Sequence, residues 1–356
     1  MKALSEQNDI TLVYWRRTEN YVWGNGEVSF KNKEIYIPAN LGMPLKRIIP
    51  TLKFARKALS ELKRIKPDCI YVQGLDMLAI AVFYKKHFYK KLTIVYEIAD
   101  LHRLIIQPQK NVIKKMVQKV LRSSERNLCK KIAFLVVTSQ QYYNKYYSQF
   151  IPADKYLYIA NAPEKEVFSS YQKKTGGAFT VGFVGAAQFA EQIKLLVSAG
   201  KESGIQVIIA GSFLDTKLQE YCVEKGAICS GTYNYKRDIA NLYSKIDCVF
   251  SVYPMEDANV NLALPNKLYE SIVCGLPIIV AKGTYLSEIV EKYKVGISID
   301  SNNIAEYIDA FKSLRDNQEH YQDIVRNCNA IREECFVEKY NQLLINKISN
   351  LDITNF

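Results

Sequence analysis

The chain has 356 residues, 48% of them hydrophobic, which is enough for two domains with cores of their own and excludes a disordered or fibrous protein. Its eight cysteines stand singly, mostly in apolar runs, which argues against a disulfide scaffold or a close-spaced metal cluster. The net charge of +12 is unevenly placed: Met1 to Pro163 holds 28 Lys/Arg against 12 Asp/Glu, and the remainder holds 20 against 24.

In chain order, Ile10 to Trp15 and Glu34 to Ile37 read as short strands, and Pro44 to Lys66 as a long amphipathic helix. Asp68 to Val72 is a buried strand, Leu75 to Phe88 a helix, Leu92 to Glu97 a strand, Asn111 to Lys131 a basic helix and Ala133 to Thr138 a strand. This alternation predicts a parallel sheet. Lys155 to Lys174 lacks helical periodicity, and Lys173 to Gly177 joins charge to two glycines, as an interdomain linker does.

The second alternation has strands at Phe179–Val184, Gln206–Ala210, Ile228–Ser230, Cys248–Val252, Ile278–Ala281 and Gly296–Ile299. Between them, Pro265 opens a helix that runs to about Cys274, where Gly275 stops it. Lys267 and Glu270 are three apart on that helix and share a face. In doubly wound sheets, ligands bind at the carboxyl ends of strands, where helix N-termini offer free N–H groups to anions. A diphosphate and a ribose fit such a place. A polar helical stretch follows Ile304.

Four stretches carry a family resemblance: Val95 to His102, Leu135 to Ser139 with Ala160 to Pro163, Val181 to Gly185, and Ala263 to Pro277. In this order the sequence resembles bacterial glycosyltransferases of family 4, or group 1, of the capsule, exopolysaccharide and O-antigen type. The resemblance implies an α/β, GT-B fold, two Rossmann-like domains whose parallel sheets face one cleft. Residues 1–172 form the acceptor-side domain and 173–330 the donor domain, while 331–356 is a helix packing back on the first. In the family a strand, a Gly-rich loop and a helix precede the strand resembled by Ile10–Arg16, so that leading strand is expected to be absent or replaced by the Gly24–Gly26 turn.

By the same resemblance, Glu270 matches the second of two family glutamates and binds the ribose, while the first falls on Leu262. Glu256, Asp257, Asn259 or Asn261 then supplies the lost contact to the sugar, Asn261 for preference because it adjoins the site. Lys267 stabilises the departing diphosphate. The donor set is Gly185, Lys194, Gly211, Tyr233, Tyr253, Asn261, Asn266, Lys267 and Glu270. The catalytic set is Asp100, His102 and Lys267, with Asp100 or His102 the base if the reaction inverts and an orienting group under retention, the usual outcome in the family.

No metal or cofactor is expected beyond the nucleoside-diphosphate sugar, a UDP-sugar first among them. The partners implied are that donor, a lipid-linked saccharide acceptor and an anionic inner-leaflet surface, which the basic and aromatic stretches Pro44–Lys66 and Tyr84–Lys91 suit. Nucleic acid is not expected, since no stacking module is present. Apolar runs stay well short of the ~20 residues of a spanning helix, so a cytoplasmic protein peripheral on the inner face of the plasma membrane is expected. Two other readings stay open, a non-catalytic GT-B subunit that binds a partner transferase or the membrane, and a nucleotide-sugar epimerase on the same fold.

Overall fold

The computed structural model of the chain describes residues 2–19, 30–39, 45–174 and 176–351. Its first strands, β1 (Thr11–Arg16) and β2 (Lys31–Tyr36), are parallel and pair with each other alone. A separate parallel sheet holds β3 (Cys69–Gln73), β4 (Thr93–Ile98), β5 (Phe134–Val137) and β6 (Tyr156–Tyr158) in sequential order. β2 runs three residues further toward its start than the apolar pattern suggests, because Lys31 to Glu34 are exposed and carry no hydrophobic signal. The Gly24–Gly26 turn and Pro44 lie outside the described residues.

Helix Ile48–Ile65 folds back over the first two strands. Phe54, almost fully buried, stacks on Trp15 at 5.1 Å beside Ile35, Ile37 and Ala58. Burying such a ring stabilises by about 2–3 kcal/mol. Pro67 forbids the helix to continue, so Lys66 turns to φ 51° and donates its N–H to the Leu62 carbonyl. Helices Leu75–His87 and Val112–Cys129 lie beside it, each packed on the next, making one layer.

The second domain is a six-stranded parallel sheet: β7 (Thr180–Val184), β8 (Gln206–Ala210), β9 (Ile228–Gly231), β10 (Cys248–Ser251), β11 (Ile278–Ala281) and β12 (Gly296–Ile299). Spatial order is β12-β11-β10-β7-β8-β9, which is the doubly wound Rossmann order. Every residue of β7, β10 and β11 is buried, as expected for strands covered by helices on both faces. The chain order reverses between β7 and β10, and the crevice above their carboxyl ends is where such sheets bind ligands.

The polar stretch after Ile304 is three helices, Ile304–Asp316, Gln318–Ile331 and Val337–Ser349. The last returns to the first domain, where Leu344 packs with Leu4, Val95, Phe134 and Val136. The two chain segments that cross between domains are joined to each other. Val337 donates its N–H to the Pro163 carbonyl at 2.9 Å, and Glu338 accepts from the Lys165 N–H at 2.9 Å.

Candidate active site

A cavity of about 360 Å³ lies between the domains. The first domain supplies Asp100, Leu101 and Arg103, which follow β4; the second supplies Ser251 at the end of β10, Tyr253 just beyond it and Ala281 at the end of β11. Three helix starts meet here: Gln188 and Phe189 before helix Ala190–Ser203, Pro265 before helix Asn266–Cys274, and Thr284 before helix Tyr285–Tyr293. Each start leaves backbone N–H groups without helical partners and carries the positive end of a dipole, so the site favours an anion.

Lys267 is outside the cavity lining and reaches it through Tyr253. Its ammonium donates to the Tyr253 hydroxyl at 2.7 Å and sits 4.7 Å from the centre of the Phe183 ring, with no carboxylate in ion-pair range among the described residues. It lies against Gly185, where a Cβ would come within 3.1 Å of Nζ. Gly185 has φ +137°, open to glycine, and that bareness leaves the ammonium room beside the backbone.

Gly211, also expected in the donor set, lies against Gly185. A Cβ there would stand 2.0 Å from the Gly185 carbonyl oxygen, so Gly211 lets the turns after β7 and β8 touch. Lys194 is not brought to the cavity; it pairs with Glu191 at 3.0 Å on the outer face of its helix. Asn266 is exposed at the first helical turn.

Glu270 is 3% exposed and does not line the cavity. Its Oε1 accepts from Tyr235 at 2.7 Å and its Oε2 from Tyr243 at 2.5 Å, leaving one lone pair on each oxygen. Burial pushes its pKa up, against the two tyrosines and Lys267, which pull it down. Tyr233, half-buried near Glu270, has its phenol pushed up to about 12 by burial and then by that carboxylate.

The Met255–Ala263 segment joins the two walls. Asn259 Oδ1 accepts from the Leu101 N–H at 3.0 Å and from the Tyr142 hydroxyl at 3.0 Å, and Asn259 Nδ2 donates to Asp100 Oδ1 at 3.1 Å. Arg103 pairs with Asp257 at 2.5 Å, and Ser139 donates to the Leu262 carbonyl. The Leu262 side chain packs on the core of the first domain, so the position expected for a carboxylate serves the interdomain contact instead. Asn261 donates to the Met255 carbonyl while its own Oδ1, buried, has no partner among the described residues.

Asp100 is therefore in the cavity and oriented, whereas His102 is exposed and outside its lining. His102 Nδ1 accepts from the Leu104 N–H at 3.2 Å, capping the short helix Arg103–Ile106. In the neutral ring that fixes the proton on Nε2 and makes the open nitrogen a donor, which does not suit a base. Of the groups that sequence reasoning passed over, Arg103, Gln188 and Ser251 line the cavity, Ser251 with a buried hydroxyl that has no partner among the described residues. Their sequence signal is position alone, Ser251 at the end of a strand, Arg103 at the start of a short helix and Gln188 in the turn that leads into one. Among the described residues, no cluster of three His, Cys, Asp or Glu side chains is placed to hold a metal ion.

Residues 164–330 match the family model described as glycosyl transferases group 1. The succinoglycan biosynthesis protein ExoL of Rhizobium meliloti is 24% identical over 270 residues, 70% of this chain and 66% of that protein, so the match spans just under two thirds of the curated relative's length. Sucrose-phosphate synthase from Thermosynechococcus elongatus superposes with a TM-score of 0.75 at 13% identity, covering 98% of this chain and 90% of that one. HepE of Anabaena in complex with UDP-glucose gives 0.67 at 17% identity, covering 90% and 86%. The two-domain architecture read from the sequence is the GT-B fold of these structures.

Proposed function

We propose, for a chain whose residues 164–330 are a group 1 glycosyl transferase domain on a GT-B fold, that it transfers a sugar from a nucleoside diphosphate to a saccharide acceptor in exopolysaccharide synthesis. The observation that carries this reading is the Lys267 ammonium, held by Tyr253 against Gly185 at the point where strand order reverses, with no carboxylate within ion-pair distance among the described residues. A diphosphate bound across the three helix starts supplies the missing charge. As the glycosidic bond breaks, negative charge grows on the diphosphate, and Lys267 is positioned to stabilise it.

The donor is a UDP-sugar, with Glu270 holding the ribose through its free lone pairs and Ser251, Asn259 and Asn261 available to sugar hydroxyls in place of the carboxylate absent at Leu262. Asp100, its Oδ1 held by Asn259, orients the attacking hydroxyl. The reaction retains the anomeric configuration and uses no metal, since Lys267 and the helix starts supply the positive charge. The acceptor is lipid-linked and the protein peripheral on the anionic inner leaflet of the plasma membrane, a placement compatible with a chain in which, among the described residues, no helix is long and apolar enough to cross a membrane.

Calorimetric titration with UDP, GDP, dTDP and CMP tests the donor half. Selective binding of UDP, weakened in Lys267→Ala, is expected; equal indifference to all four would sink the reading and favour a non-catalytic subunit. Transfer that survives EDTA and gives a product of unchanged anomeric configuration by NMR is expected next.

A further inference from the structure

Of the fifteen large hydrophobic side chains exposed among the described residues, ten lie between Ile48 and Val120. They sit on the three neighbouring helices of the first domain or at their ends: Ile48, Ile49 and Leu52 on one, Phe83 and Phe88 on the next, and a stripe from Val112 to Val120 on the third. Large apolar side chains gathered this densely on the exposed faces of neighbouring helices mark an interaction surface.

The third helix is turned the wrong way for a core helix. Val112, Ile113 and Met116 are 70%, 72% and 66% exposed, while its buried positions are Gln118, Glu125 and Cys129. Its apolar stripe therefore faces out although a polar face was available to do so. Lys114, Lys115 and Lys119 flank that stripe. On these three helices, Arg64 alone among the described lysines and arginines pairs with a carboxylate, so the face carries uncompensated positive charge. A groove of about 460 Å³ runs along the first helix, floored by Leu52, Leu59 and Phe88 and edged by Arg56 and Lys63.

Cations without carboxylate partners around exposed aliphatic side chains match one partner chemistry, an anionic lipid bilayer. The aliphatic groups enter the acyl boundary and the long cationic side chains reach the headgroups. We infer that this helical layer docks on an anionic membrane, with residues Val112–Val120 as the inserting element and the Arg56–Lys63 groove as a headgroup site. The inference deepens the membrane side of the proposed function and needs none of its chemistry.

The inserting helix is also tied to the cleft. On its inner face, Gln118 Nε2 donates to the carbonyls of Leu104 at 2.8 Å and Gln107 at 2.9 Å, and Arg122 Nε donates to that of Ile105 at 2.7 Å. These carbonyls belong to the segment that begins with Asp100. The half of the helix that inserts is its first half, which follows the carboxyl end of β4, so docking places the bilayer beside the acceptor wall of the cavity.

The full chain, without nucleotide, is sedimented with vesicles of phosphatidylcholine alone or mixed with phosphatidylglycerol. Binding to the mixed vesicles, about tenfold or more tighter than to phosphatidylcholine alone, is expected. Lys114→Glu/Lys115→Glu/Lys119→Glu should abolish that preference. Ile113→Ser/Met116→Ser/Val120→Ser should remove the part of binding that survives high salt, while Leu343→Ser, at an exposed leucine of the last helix, should change nothing. All these sites are exposed, and unchanged far-ultraviolet circular dichroism verifies the fold. Equal binding to both vesicle types, parent-like binding by both triple variants, or binding of oligonucleotides with none to vesicles would overturn the inference. Vesicle binding by a chain that binds no nucleotide would instead refute the donor reading and leave this one standing.

Discussion

Each domain buries a glutamate among tyrosine hydroxyls, and the two differ in what else is near. In the first domain, Glu125 is fully buried, with Oε1 accepting from Tyr96 at 3.0 Å and Tyr147 at 2.7 Å and Oε2 from Tyr146 at 3.0 Å. In the second, Glu270 has two tyrosines and, one turn before it on the same helix, the Lys267 ammonium. Burial raises the pKa of both, but only Glu270 feels an opposing cation. The same solution for a buried carboxylate thus serves two ends. Glu125 fastens helix Val112–Cys129 to the aromatic segment Tyr142–Phe150. Glu270 anchors a helix whose first turn carries an ammonium hydrogen-bonded to Tyr253 in the cavity wall.

The largest expected effect that tests this contrast is Glu125→Ala. It strands three phenol hydroxyls in a dry core and should cost about 3 kcal/mol or more of stability by urea unfolding, with nucleotide affinity unchanged in the fraction that stays folded. Glu270→Ala should cost about 2 kcal/mol of stability and weaken UDP binding as well; loss of stability alone would make the two glutamates equivalent. Lys267→Ala, in contrast, should leave the unfolding midpoint where it was and weaken UDP about tenfold or more by calorimetry.

The smallest effect is one of pH. Both folded pKa values stand above the ordinary 4.5, so each glutamate holds its proton more readily folded than unfolded. Their contribution is fully present below that ordinary value and is lost as pH rises through the raised one. Glu125→Gln, which cannot ionise, should therefore gain stability relative to the parent as pH rises from about 4.5 toward the raised value. The gain is roughly 1 kcal/mol for each pH step over which the folded carboxyl keeps a proton that the unfolded one has lost. A constant difference across that range would mean that Glu125 is not held protonated by its surroundings.

Much of the fold is legible in the sequence where one local signal suffices. The interior strands β7, β10 and β11 stand out as apolar runs, and Gly275 ends the Lys267 helix with φ 65°. The site is less legible. Lys267 one turn from Glu270 on a shared helix face, and Asp100 at a strand end, follow from spacing and pattern, whereas the contact of Lys267 with Tyr253 does not. Asn259 does not, because its worth lies in groups 117 to 159 residues away that only the closed pair of domains brings to it. Lys194 misleads for a related reason: position in the chain near a strand end says nothing about which side of a helix a residue occupies. Helix Val112–Cys129 is the sharpest case, since an apolar stripe normally marks the buried face and here marks the exposed one.

The joined crossings at Pro163 and Val337 bear on how the cleft opens. One covalent thread between two bodies allows swivel about three axes. Two threads bonded side by side behave as a flat strap: they bend readily across their common width and resist twist and sideways shear. The two walls of the cavity are thereby held to one arc, so that whatever opens the cavity returns Asn259 to Asp100 along the path by which it left.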